Sequence, residues 1–459
     1  MAVFLPKGTR DFLPAQMNAR LAVIGKLREV FARFGFEPLE TPALERIETL
    51  TGKYGDEGDK LIFRILKRGE GSDRGETDLA LRYDLTVPLA RVVAMNNDLV
   101  MPFKRYQIQP VWRADRPQRG RFREFYQCDC DIVGCKDMSA DAECVAVVHE
   151  SLLALGFTDF TIRLNHRAIL RAIVTAAGVP EREGAVLVAV DKLDKIGRDG
   201  VSAELLAKGV PQASIDTLWT LFEGRGEAAL DHLAGALGEV GAKAIAELRD
   251  VLRFARAMGV GERLSFEPTL ARGLDYYTGP VFETVLNDGS VGSVSGGGRY
   301  DGLVGMFSEK REVPAVGVAL GLERLMVILE ERKMLGDVRP TTTALVTVFD
   351  ESLREASLTA VTALRAAGVA AQITLDAGGK LGKQLKRANE LGARFALVIG
   401  PEEAQAGIVN LKDLVSGEQH KLALAEAVAF VVGAGGGETR RPQRAQPSHT
   451  QRQGPGARP

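Results

Sequence analysis

Residues 272–283 read RGLDYYTGPVFE: Arg272, Asp275, Tyr276 and Tyr277 fall within six positions, and Thr-Gly-Pro then leads into an apolar run. A fixed cation beside two phenols and a carboxylate suits a small polar molecule, and the rest of the chain has to say which one.

At 459 residues the chain exceeds what one hydrophobic core organises, so about three domains are expected. The hydrophobic share of 45% and charged share of 26% are those of a soluble globular protein, and no apolar run approaches the ~20 residues of a membrane span. The start, MAVFLPKGTRDFLP, lacks the basic segment and long apolar stretch of a signal peptide, so a cytoplasmic location and no membrane partner are expected. A net charge of −1 provides no global basic field, and any nucleic-acid contact must come from local patches. Cys128, Cys130, Cys135 and Cys144 are spaced C-x-C-x4-C-x8-C, with only His149 nearby. That is not a usual zinc spacing, so they read as reduced packing cysteines and no metal ligands are expected among them.

Leu21, Ile24, Leu27, Val30, Phe31 and Phe34 recur at helical spacing and Gly35 ends the pattern, so residues 16–34 read as a helix. FEPLETPALE follows as an extended segment, held to an edge or interface by Pro38 and Pro42. LALRYDLT, FKRYQIQPVWR and FREFYQCDCDIVG are strand-like runs with loops between them, which is antiparallel-sheet patterning rather than βαβ alternation. Residues 167–262 turn Ala- and Leu-rich and helical, and the sheet pattern resumes at Arg272, so the helical block reads as an insertion within one domain spanning 1–335. From about 341 to 432, strands and helices alternate as in a small α/β domain. The remainder, 433–459, has five arginines, one glutamate and almost no large apolar side chain, and is expected to be disordered.

Three stretches carry polar chemistry. In YQCDCDIVG a period of two puts Gln127, Asp129 and Asp131 on one face and Cys128 and Cys130 on the other. That pattern suits the floor of a polar pocket, and equally an amphipathic strand with its polar side in water. WRADRPQRGRFREF holds five arginines around Gly120, interspersed with Phe122 and Phe125. Guanidinium forks and ring faces suit a nucleotide, and the same run also suits a solvated loop. SVSGGGRYDGLV, 293–304, places three glycines beside Arg299 and Tyr300, either for close backbone approach to a ligand or as a flexible hairpin. It is neither a dinucleotide fingerprint nor a P-loop. VGVALGLERLMVILEE reads as an apolar strand, a turn at Gly321 and a helix whose Arg324 points back toward the sheet, where it binds a ligand or pairs with a carboxylate.

In order, these stretches are a helix with a Pro-flanked strand, an arginine-rich strand-loop-strand, and a strand-Gly-helix with arginine. The chain thus resembles motifs 1, 2 and 3 of class II aminoacyl-tRNA synthetases. RGLDYYTGPVFE, GGGRYDGLV and GVALGLERL, with PKGTRDFLP at the start and LRYDLTVPLAR at 81–91, resemble the histidyl-tRNA synthetase family over about residues 7–432. The implied fold is mixed α/β: a class II antiparallel-sheet catalytic domain with a helical insertion, followed by a C-terminal α/β anticodon-binding domain.

The resemblance implies activation of L-histidine by ATP and transfer to histidine tRNA. It implies that Asp84, Thr86 and Gln127 hold the α-amino group and that Asp131, Tyr276 and Tyr277 surround the imidazole. Arg272 and Arg113 would be the catalytic cations at the substrate carboxylate and α-phosphate. Phe125 and Arg324 would sandwich adenine, Asp115 would contact its amino group, and Arg121 would face the outer phosphates, with Mg2+ on the pyrophosphate. Motif 1 implies a homodimer, and the insertion would embrace the acceptor stem. Lys380, Lys383 and Arg387 share one helix face in the C-terminal domain; that face either meets tRNA or is ordinary solvated surface.

Common bacterial members read LRPEGT where this chain has LRYDLT, and glutamate where it has Asp131, so both features resemble the eukaryote-like branch. Motif 2 carries Asp115 where the class usually has glutamate. The alternative is a synthetase-like regulatory subunit of ATP phosphoribosyltransferase. Such paralogues tend to lose the catalytic arginines and the C-terminal domain, whereas this chain keeps Arg113, Arg272, Arg324 and that domain. A general RNA-binding protein is disfavoured by the net charge and the lack of RRM or KH signatures.

Overall fold

The computed structural model describes residues 3–271, 276–308, 312–336, 341–375 and 380–435. Arg272 and residues 436–459 of the expected tail lie outside the described residues. Two compact units divide the chain, Met1–Gly336 and Asp337–Pro459.

The first unit is built on an eight-stranded sheet. Its strands lie in the order Glu37–Pro38, Phe103–Trp112, Glu124–Val133, Ala315–Gly321, Ser295–Arg299, Pro280–Leu286, Phe160–His166 and Leu264–Phe266. Only the two outermost pairings are parallel. Pro38 sits on an edge strand, where a residue without an N–H costs no ladder bond.

Period two gives the central strands two unlike faces. Cys128, Cys130 and Ile132, with Val316, Val318 and Leu320, enter the main apolar core, to which the helices Pro14–Arg33 and Met138–Ala154 also contribute. The opposite face carries the polar residues and lines a cavity. Cys128, Cys130 and Cys144 are buried free thiols, and burial holds each well above the ordinary thiol range. Among the described residues, no group of three His, Cys, Asp or Glu is placed to hold a metal ion, and no helix is long and apolar enough to cross a membrane.

The helical block leaves from the end of the Phe160–His166 strand and returns at Leu264–Phe266, which pairs with it. His166 joins the block's first and last helices. Its Nδ1 accepts from the Ala168 amide at 3.0 Å, capping Arg167–Ala176, and its Nε2 lies 2.9 Å from Glu247 on Glu239–Ala257.

In the second unit, Ala371–Ile373, Ala344–Val346 and Phe395–Val398 run parallel, and Ile408–Asp413 and Gln419–Ala423 extend the sheet antiparallel.

Two expectations need correction. LALRYDLT is not a strand throughout: the strand is Thr77–Leu81 and a helix starts at Thr86. The Asp84 carboxylate accepts from the Val87 amide at 3.0 Å and so caps that first turn. The tail does not begin at 433, because the last helix, Leu424–Gly435, is anchored by buried Ala427 and Val431 and carries the chain further.

Candidate active site

The polar face of the sheet opens into a cavity of about 330 Å³, within the small-molecule range. Asp84, Thr86, Arg113, Asp115, Arg121 and Phe125 line it, as do Gln127, Asp131, Tyr276, Tyr277 and Arg324. Residues from four separate stretches of sequence are thus brought together. Arg272 lies outside the described residues, four positions before Tyr276 in the chain.

One end is acidic and phenolic. Asp84 is buried, and its Oδ1 accepts from the Tyr54 hydroxyl at 3.0 Å while Oδ2 accepts from Tyr276 at 3.3 Å. Burial raises its pKa, and the Val87 amide and Arg113 oppose that rise. The Glu124–Val133 strand then presents Gln127, Asp129 and Asp131 in a row. The Gln127 Oε1 is buried and has no hydrogen-bond partner among the described residues, an acceptor that a ligand N–H would satisfy.

Asp131 accepts a short hydrogen bond from the Tyr300 hydroxyl at Oδ1. Its Oδ2 forms an ion pair with Arg105 at 2.9 Å but receives no aligned hydrogen bond, so a lone pair remains for an incoming donor. Burial pushes Asp131 upward, against the Arg105 charge and the Tyr300 bond. Asp129 is raised well above the carboxylate range, first by burial, with Arg105 opposing and Asp131 reinforcing. Tyr276 packs edge-on against both Tyr277 and Tyr300, at centroid distances of 4.9 and 6.0 Å.

Glycine is what lets the strands close over this floor. Gly317 is paired with Asp131 across the ladder, and a Cβ there would lie 1.9 Å from the Asp131 Oδ1. A Cβ on Gly297, the middle of the glycine triplet, would lie 2.0 Å from the Gly317 carbonyl oxygen. The triplet is therefore a strand under close backbone approach, not a flexible hairpin.

The other end is cationic. Arg113 donates from Nε to the Tyr83 carbonyl at 3.0 Å, and its guanidinium stands 4.3 Å from the Tyr83 ring centroid and 5.1 Å from that of Phe125. Arg324 donates from Nη1 to the Ser293 carbonyl oxygen. The hairpin at Gly120, with φ +69°, sits against the Arg324 side chain. Arg121 and Asp115, assigned by resemblance to opposite ends of ATP, here pair with each other in a fork at 2.9 and 3.1 Å.

Asp129 and Tyr300 stand in the quoted motifs but have no role there, and no motif marks Arg105 or Tyr54. Arg105 lies within FKRYQIQPVWR at a period-two position, which is the only signal it offered. In the second unit Lys380, Lys383 and Arg387 are exposed, while Gln384 and Ala388 of the same helix are buried.

Comparison with known proteins agrees with this architecture. The histidyl-tRNA synthetase family matches residues 8–325, and the anticodon binding domain matches 342–433. A histidine–tRNA ligase of Cytophaga hutchinsonii is 44% identical over 446 residues, 92% of this chain and 98% of the relative. One from Gloeobacter violaceus is 42% identical over 456 residues, 93% and 97% of the two chains. The crystal structure of histidyl-tRNA synthetase from Nostoc superposes with a TM-score of 0.79 at 32% identity, covering 95% of this chain and all of that one. An antiparallel-rich sheet with a cation-and-carboxylate pocket, followed by an anticodon-binding domain, is the architecture of a class II aminoacyl-tRNA synthetase. Within that class, the chain belongs to the histidyl-tRNA synthetase family.

Proposed function

We propose that the protein activates L-histidine with ATP to histidyl-adenylate and transfers the histidyl group to the 3′ end of histidine tRNA. The observation that carries this reading is the junction, within one cavity, of an acidic and phenolic end with a cationic and aromatic one.

Asp84, Thr86 and Gln127 hold the ammonium. Asp131, Tyr276 and Tyr277 enclose the imidazole, whose N–H finds an acceptor in Asp131. An apolar amino acid of similar size would leave that acceptor buried and unpaired. Phe125 and Arg324 hold the adenine between a ring face and a guanidinium, with Asp115 toward its amino group. Arg121 faces the outer phosphates once it exchanges its Asp115 partner for them.

The substrate carboxylate attacks the α-phosphate and pyrophosphate leaves. Arg113 and Arg272 screen the meeting of two anions and stabilise the charge that grows on the α-phosphate; removing one such donor costs on the order of 100- to 1000-fold in rate. Were Mg2+ bound with the pyrophosphate, the pocket-wall carboxylate of Glu283 would offer it an oxygen donor, and the ion would neutralise charge on the leaving group. In the second step the adenylate carbonyl is attacked by the terminal ribose hydroxyl of the tRNA and AMP leaves.

The domain limits are proposed as 1–335 for catalysis, with the 167–262 insertion at the acceptor stem, and 341–432 for the anticodon. The basic face of Lys380, Lys383 and Arg387 is proposed to meet tRNA. A cytoplasmic homodimer, with the Pro14–Arg33 helix and the extended segment after it at the twofold contact, completes the reading.

The test is histidine-dependent exchange between pyrophosphate and ATP without tRNA, for wild type and Arg272→Ala. Exchange specific to histidine and lost in the variant is expected. A folded protein that binds histidine without exchange would overturn the reading in favour of a regulatory paralogue.

A further inference from the structure

Arg105 is completely buried, and a charge in that position needs partners. It has them on two sides of the pocket. Its Nη2 lies 2.9 Å from the Asp131 Oδ2 and donates to the Leu85 carbonyl at 3.2 Å. Leu85 stands between Asp84 and Thr86, so one nitrogen touches both the segment proposed to hold the ammonium and the carboxylate proposed to hold the ring. Nη1 donates to Gln107 Oε1 at 3.2 Å. Gln107 in turn donates to the Thr41 hydroxyl at 2.9 Å and to Gln109.

The ladder explains the placement. Arg105, Gln107 and Gln109 stand opposite Asp131, Asp129 and Gln127 on the neighbouring strand. The guanidinium therefore lies on the same face of the sheet as the carboxylates, beside them and away from solvent.

We propose that Arg105 is a positioning residue that fixes the separation between the ammonium-holding and ring-holding halves of the pocket, and through it the selectivity for histidine. This rests on the adenylation reading above. Arg105 touches no substrate atom; it acts by holding Asp131 ionised and at a set distance from Asp84 and Thr86. The groups facing it are Asp131, Asp129, Tyr300 and Cys130. Those facing Asp131 are Arg105, Tyr300, Asp84 and Asp129, with Cys144 behind the strand. Arg105 is the cation of this group, so without it burial dominates and Asp131 takes up a proton more readily.

The experiment is histidine-dependent pyrophosphate exchange with the full chain, comparing wild type, Arg105→Met and Arg105→Lys at mildly acidic and mildly basic pH. A second substrate, thienylalanine, has a similar shape and no ring N–H. For Arg105→Met, kcat/KM for histidine should fall roughly 10- to 100-fold, with the KM for ATP little changed. The defect should be deeper at the acidic pH, and the preference for histidine over thienylalanine should shrink. Arg105→Lys keeps a charge and should restore part of the preference, with a pH profile nearer wild type.

An equal loss toward histidine and ATP, or an undiminished preference for histidine, would overturn the proposal. If Arg105→Met does not fold, Arg105→Lys decides by the same two criteria, the ATP KM and the histidine preference. Absence of histidine-dependent exchange in the wild type would instead overturn the adenylation reading itself, so the two failures are distinct.

Discussion

Gly317→Ala adds one methyl group at the most confined point of the pocket. The new Cβ would lie 1.9 Å from the Asp131 Oδ1, 2.5 Å from its Cγ and 3.1 Å from the Cys130 carbonyl oxygen. Unstrained contact needs about 3.5 Å, so the carboxylate must retreat by roughly 1.5 Å or the strands must part. The Gly317 strand is hydrogen-bonded on both sides, to Glu124–Val133 and to Ser295–Arg299, so the side chain yields before the sheet does. A retreat on that scale breaks the bond from Tyr300 and the ion pair with Arg105. Misplacing a binding group by about 1 Å costs on the order of 100-fold in rate, and stranding a buried arginine costs about 3–5 kcal/mol of stability. Histidine kcat/KM in pyrophosphate exchange should therefore fall about 100-fold or more, with a lower unfolding midpoint and a far smaller change in the KM for ATP. Gly235→Ala is the control: its methyl meets nothing within 4 Å and it lies in a helix, so the exchange should be untouched and stability slightly raised. A folded Gly317→Ala protein with wild-type histidine kinetics would refute the assignment of Asp131 to the ring.

Two further outcomes are expected. Charge reversal at Lys380, Lys383 and Arg387 together should raise the KM for tRNA in aminoacylation and leave pyrophosphate exchange as it was; an unchanged tRNA KM would make that face ordinary solvated helix. Burial raises both Asp84 and Asp131, so on acidification they lose their charge at a higher pH than an exposed aspartate, whose pKa is about 3.9. The KM for histidine should accordingly climb on the acid side before ordinary carboxylates titrate. The ratio of wild-type to Asp131→Asn KM values cancels the titration of free substrate, and a ratio independent of pH would remove Asp131 from the binding step.

What could be read from the chain alone was local. Strand Glu124–Val133 alternates polar and apolar residues because its two faces meet a ligand cavity and a core, and that alternation is written in YQCDCDIV. The stop at Gly35, the Pro-marked edge strand and the Gly321 turn before Arg324 are likewise matters of backbone freedom over a few residues. Motif order then joined these pieces into a family, and with it the candidate residues on both ends of the pocket.

What needed the tertiary structure was everything that depends on which strand lies beside which. No spacing in FKRYQIQPVWR says that Arg105 faces Asp131. Nothing in the glycine triplet or in AVGVALG says that Gly297 must pass Gly317 without a side chain. Nor does the sequence tell that Arg121 and Asp115, six residues apart, close on each other in a two-bonded fork. A hydrogen-bonded register brings residues more than a hundred positions apart to within a few ångströms, and the energies that decide this pocket, buried charge against counter-charge and backbone against backbone, are set at that distance.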